Sequence, residues 1–121
     1  MPATVEVGGV QYVCMECFLY GPGPYPTTGQ TFDARFLALT PSDADGNLAF
    51  DSNPENAKRL DPAGGWRYRA YGEVIATAPE AIVDCGGLVV NAGCPVPDAV
   101  REGDFLAFEI ERLDCWRATR H

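Results

Sequence analysis

Cys14-Met15-Glu16-Cys17 has the C-x-x-C spacing that can clasp a zinc ion or cycle as a dithiol, and Cys85 with Cys94 could complete a four-sulfur site. A zinc knuckle needs a turn around the cysteine pair, usually helped by glycine or proline. Here the flanking run VCMECFLY reads as a strand, which throws the two thiols onto opposite faces. A thioredoxin-type site also wants a helix after its first cysteine, and this run does not supply one. Structural or buried thiols are therefore the expectation, with zinc and redox chemistry as the alternatives. Cys115 makes five cysteines, an odd number, and reduced thiols are the first reading.

Other chemistry-bearing residues are weaker still. Asp43, Asp45 and Asn47 echo the start of a calcium-binding EF-hand loop, but Leu48 stands where the sharp-turn glycine belongs and Pro54 where the closing glutamate belongs. A solvated hairpin turn accounts for them better. His121 is the only histidine and ends the sequence, so the usual imidazole base for a serine or cysteine nucleophile has no ordered place. The carboxylate pairs Glu109 with Glu111 and Asp43 with Asp45 fall where an outer strand face or a turn puts them in water, whereas acid and base roles call for burial. GPGPYPTTG, residues 21–29, lacks the Lys-Ser/Thr ending of a phosphate-cradling loop. No catalytic residue, cofactor or metal is assigned on these grounds.

Aromatic and arginine side chains give the one positive signal. Tyr20 and Tyr25 lie at the proline-glycine loop, while Tyr71 shares an outward strand face with Arg67 and Arg69, a mixture common in recognition surfaces. Core packing or cross-strand contact is the ordinary use of such rings. These five residues are the candidate partner-binding set.

The elements that position them follow from side-chain periodicity. From Trp66 to Trp116 residue type obeys a strand's two-residue repeat: Trp66, Tyr68, Ala70, Gly72, Val74 and Ala76 fall on one side, Arg67, Arg69, Tyr71, Glu73, Ile75 and Thr77 on the other. Residues 82–90 and 105–116 supply two further strands. Ile110 and Leu113 are both apolar but three apart, which requires a bulge near Glu111-Arg112. Gly8-Gly9 predicts a hairpin between residues 4–7 and 10–20. A second hairpin is expected between 32–39 and 48–51 around PSDADGN, and another turn or bulge at Asp84-Cys85-Gly86-Gly87. SNPENAKRLDPAGG, residues 52–65, has room for one short helical turn, with Ser52 or Asn53 as cap, Pro54 at the first helical position and Pro62 as the stop.

The expected fold is therefore all-β, a single domain over residues 1–121: a small antiparallel barrel or sandwich of about six to eight strands with at most one short helix. The final strands, with GEV, Val-Asp-Cys-Gly-Gly and Glu-Gly-Asp-Phe-Leu-Ala-Phe-Glu-Ile, resemble the rhythm of small barrels of the oligonucleotide/oligosaccharide-binding kind. That resemblance is one of fold pattern, covers less than half the chain, and implies an OB-like barrel architecture and no activity.

A net charge of −8 repels phosphate backbones and makes a basic partner a better fit than nucleic acid. No run approaches the roughly 20 apolar residues of a membrane helix, and the first residues carry neither a basic start nor an apolar stretch, so cytoplasmic residence is the expectation. The functional expectation is a non-catalytic acidic binding module that recognises another protein, as an inhibitor or immunity-type partner of a cationic protein. The alternatives are a small-ligand or sugar-binding barrel and a zinc- or cysteine-dependent enzyme. Self-association to a homo-oligomer, through exposed strand edges or the doubly apolar Leu37 and Leu39 strand, is a separate option.

Overall fold

The structure is a computed structural model that describes residues 2–18 and 28–117. Ten strands and no α-helix form among them: β1 (Pro2–Val7), β2 (Val10–Glu16), β3 (Ala34–Leu39), β4 (Asp51–Ser52), β5 (Arg59–Gly64), β6 (Arg67–Ala76), β7 (Ile82–Asp84), β8 (Val89–Asn91), β9 (Phe105–Ile110) and β10 (Arg112–Arg117). They make one sheet, not closed, in the order β1-β2-β10-β3-β8-β7-β6-β9-β4, with β5 also on β6. The all-β expectation holds. The strand number exceeds it, because the turn at Gly86-Gly87 divides residues 82–90 into β7 and β8, the break at Glu111 divides 105–116 into β9 and β10, and β5 forms where a helical turn was expected.

Two pairings, β10 with β2 and β3 with β8, are parallel, so the sheet is mixed and not wholly antiparallel. The Gly8-Gly9 hairpin joins β1 and β2, with both glycines at positive φ. Asp84 to Leu88 turns β7 into β8, closed by Cys85 N to Leu88 O at 2.8 Å. The hairpin expected between 32–39 and 48–51 forms only as the isolated Ser42–Leu48 bridge. Asp43 Oδ1 accepts the N–H groups of Asp45 and Asn47 and reverses the chain there, and β4 then pairs with β9 instead of β3. β3 sits between β10 and β8, and β8 covers it only at Phe36 and Leu37. Open edges belong to β1, β4 and β5.

The short helical turn expected in residues 52–65 is absent. Asn53 does cap, but what it caps is a tight loop: Oδ1 accepts Ala57 N–H at 3.0 Å, while Nδ2 donates to Ala57 O at 2.9 Å and to Leu106 O at 3.2 Å. Asn56 within it takes the left-handed φ of 53°, which ends any helical path. Pro62, expected to stop a helix, lies inside β5 and is tolerated because that strand pairs only with β6 and shifts register before Gly64.

Strand parity builds the core. Tyr68, Ala70, Gly72 and Val74 of β6 point inward with Leu106, Phe108 and Ile110 of β9, and Val83, Val90, Phe36, Ala38, Cys14, Leu113 and Cys115 complete the interior. The chain breaks at Glu111 between β9 and β10, which brings Ile110 and Leu113 to the same interior as their spacing demands. Before the break the strand pairs with β6, and after it with β3 and β2.

Candidate functional site

Arg67, Arg69 and Tyr71 come together on the outer face of β6, since their inward neighbours Tyr68, Ala70 and Gly72 are claimed by the core. Register sets what lies beside them. Tyr71 stands opposite Arg59 of β5 on one side and Ala107 of β9 on the other, and Ala107 in turn faces Asp51 of β4. The next row runs Asp61, Arg69, Glu109. Short strands β4 and β5 thus deliver residues distant in sequence to the flanks of one tyrosine.

The side chains use that placement. The Arg59 guanidinium lies 4.3 Å from the Tyr71 ring centroid and that of Arg69 lies 5.8 Å from it. Asp61 holds Arg59 at 3.1 Å, and Asp51 holds Arg69 at 2.7 Å. Each carboxylate raises its arginine's pKa above the ordinary value, so both cations persist at any physiological pH. Beneath the row Ala107 is 1% exposed although it lies outside the core cluster. Arg67 and Glu109 remain exposed at the rim. On the same face Lys58 bridges Glu73 at 3.0 Å and Asp84 at 3.1 Å. Tyr20, Tyr25 and His121 lie outside the described residues.

The four cysteines of the candidate zinc site, Cys14, Cys17, Cys85 and Cys94, are not gathered into a metal site. Cys14 points into the core, whereas Cys17 is buried outside it, as strand alternation required. Among the described residues no three His, Cys, Asp or Glu side chains converge as a metal site needs. Burial pushes the Cys17 thiol up, and Cys85 is pushed up to about 12 by burial and then Asp84. Cys115, hydrogen-bonded to Cys14 in the interior, is raised by that bond and by burial. Such thiols are poor nucleophiles. Cys94 differs, being half-buried beside Thr40 Oγ1 at 3.5 Å.

Sequence reasoning missed one polar feature. Asp114 is buried at 5% exposure on the side of β10 away from the core and takes a bidentate pair from Arg112 at 2.7 and 3.0 Å. Glu16 Oε2 and Trp116 Nε1 are also buried, without a hydrogen-bond partner. The available signal was the i, i+2 placement of Arg112 and Asp114 around the apolar Leu113.

Compared with known proteins, the chain matches no family model, no curated protein and no solved structure. Among the described residues no helix is long and apolar enough to cross a membrane.

Proposed function

We propose that this protein is a non-catalytic binding module whose β5–β6–β9 outer face recognises another protein. The observation that supports this most directly is the Arg59–Tyr71–Arg69 stack, pinned by Asp61 and Asp51. Tyrosine and arginine dominate binding hot spots, and arginines already held in place lose less side-chain freedom when a partner arrives. The face itself is nearly balanced in charge, with Arg59, Arg67 and Arg69 against Asp51, Asp61 and Glu109. Long-range attraction comes instead from the net charge of −8, which favours a cationic partner and speeds its approach.

We also read the curled sheet as a small barrel of the oligonucleotide/oligosaccharide-binding kind. Its support is the bent β9–β10 ribbon, which pairs with β6 at one end and β3 at the other while Leu113 N donates to Trp66 O at 2.9 Å.

The test is capture of a partner from source-cell extract by the immobilised protein, compared with Arg67→Glu and Tyr71→Ala. A dominant basic partner is expected on the wild type, released by salt and reduced on both variants. Arg67→Glu changes an exposed side chain and so reports recognition without unfolding. A partner retained equally by all three proteins removes the face from consideration, and no retained partner removes the function.

A further inference from the structure

β1 ends the strand order and has a neighbour, β2, on one side only. The direction of its free backbone groups follows from a contact on the far side of β2. Val13 N–H donates to the Tyr68 hydroxyl at 2.8 Å, and that hydroxyl donates to Val13 O at 2.8 Å. Val13 therefore turns its peptide groups away from β1, which makes the Val13–Thr4 pair a non-hydrogen-bonded one in the antiparallel ladder. By the same alternation Thr4 and Glu6 each direct an N–H and a C=O outward, away from β2, while Ala3, Val5 and Val7 bond to it. Among the described residues no other backbone group pairs with this edge.

Beside the edge lies a groove of about 530 Å³, walled by β1 and by residues 28–34. Val5, Val7 and Phe32, half-buried against the core, supply the apolar part of a lining that is about half polar, with Phe18 edge-on to Phe32 at 5.2 Å. Glu6 is the one charged residue in the lining. Proteins commonly guard such edges with lysine, with proline inside the strand, or with a covering segment. β1 has no lysine, and its proline, Pro2, occupies the first position, where it blocks nothing further along.

We propose that this edge takes up an extended segment of another protein as an added strand, with apolar side chains at alternate positions facing the groove and a lysine or arginine opposite Glu6. The outward pairs of N–H and C=O on Thr4 and Glu6 match a peptide backbone in either direction, which no small apolar ligand satisfies. A second copy of this chain is the poorer occupant, because edge-to-edge pairing would bring together two molecules each of charge −8. This surface is separate from the Arg59–Tyr71–Arg69 face, and the inference stands without that reading.

The probe is an end-blocked peptide alternating valine with lysine, long enough to cover ~20 Å of strand, titrated into the isotope-labelled full chain. Amide shifts and exchange protection are expected at Thr4 and Glu6. Thr4→Pro removes one outward N–H without touching the β1–β2 ladder and should weaken binding about tenfold, the cost of about one such hydrogen bond. Thr4→Val keeps the N–H and should bind as the wild type does. Glu6→Lys should weaken binding of this basic peptide about threefold, the size of an exposed ion pair. Arg67→Glu should leave binding unchanged, which keeps failure here distinct from failure of the β5–β6–β9 face. The proposal is overturned if millimolar peptide shifts no β1 amide, if Thr4→Pro binds as tightly as Thr4→Val, or if the same amides become protected by concentration alone.

Discussion

Asn53→Ala should damage the fold more than any other single polar deletion on the β4 side of the sheet. The asparagine is 6% exposed and makes three bonds: Ala57 N–H to Oδ1, and Nδ2 to Ala57 O and Leu106 O. Ala57 is half-buried, so water can recover part of what its two groups lose; Leu106 O, opposite Gly72 in the β6–β9 ladder, keeps its strand partner and loses a second bond. Counting about 0.5–1 kcal/mol for each of the three bonds gives a loss of about 2 kcal/mol. At this chain length each kcal/mol lowers Tm by roughly 3–6 °C, so a fall of about 6–12 °C is expected. β4 follows Asn53 closely in space, pairing Ser52 with Leu106 and Asp51 with Ala107, so the Asp51 carboxylate should also lose its hold on Arg69. Differential scanning calorimetry gives the first quantity, and amide exchange of Ala107 gives the second. Asn53→Asp sharpens the test, since it keeps the acceptor for Ala57 N–H but turns a carboxylate toward two carbonyls. It should be no more stable than the alanine variant at neutral pH. A Tm within about 3 °C of wild type for Asn53→Ala would refute the reasoning, because that would be under 1 kcal/mol.

Gly72→Ala places a Cβ 2.6 Å from Val83 Cγ1 and closer still to the Asp84 carbonyl, so a loss of about 3 kcal/mol or more is expected in urea unfolding. Gly46→Ala, at φ +79° in open space, should cost only about 1 kcal/mol; equal costs would mean that β7 yields freely. The Asp84 carboxyl is held below its ordinary value of 3.8, first by the Gly86 N–H at 2.9 Å and then by Lys58. A depressed folded pKa stabilises above the unfolded value and is lost as pH falls through the folded one. Asp84→Asn should accordingly lower Tm at neutral pH by on the order of a few degrees, and the gap should close below pH ~3.8; a gap that persists in acid would sink this. Among the thiols a maleimide should label Cys94 first in the native protein at pH 8, with Cys17 and Cys85 protected by burial and raised pKa. Mass spectrometry of the digested protein reads the order, and early labelling of Cys85 would contradict it.

What the sequence disclosed and what it concealed divide by range along the chain. The Gly8-Gly9 hairpin was legible because both its strands and its turn lie within a few residues. So was the break at Glu111, since Ile110 and Leu113 could not share a core otherwise. Alternation along β6 named Arg67, Arg69 and Tyr71 as neighbours on one face. It could not name Arg59, Asp61 or Asp51, because their contribution depends on which strands flank β6 and β9, and no local pattern fixes strand order. β5 was hidden by Pro62, which normally argues against a strand. The reading of residues 52–65 as a helical turn rested on correct capping chemistry: Asn53 caps, but its amide reaches across to Leu106 as well as down to Ala57, and that second bond belongs to the sheet. Parallel pairing of β10 with β2 and of β3 with β8 left no mark at all in the periodicity.

Tyr68 connects the two surfaces, and its chemistry explains why a tyrosine stands in an otherwise apolar row. β10 pairs with β2 only at Met15 and Glu16, so Val13, further back along β2, has no strand on that side to take its N–H and C=O. A hydroxyl can both accept and donate, and Tyr68 Oη does both at 2.8 Å, standing in for the missing strand. Phenylalanine would fill the same space while leaving two part-buried backbone groups unpaired, at a cost of about 1–2 kcal/mol. The loss should be local. Amide exchange at Val13 should quicken and the β1–β2 hairpin should loosen, while the outward Arg59–Tyr71–Arg69 row, carried by side chains on the opposite face of β6, should keep its protection. Exchange at Val13 unchanged in Tyr68→Phe would mean that its peptide groups find another partner, and the outward direction assigned to Thr4 and Glu6 would lose its basis with it.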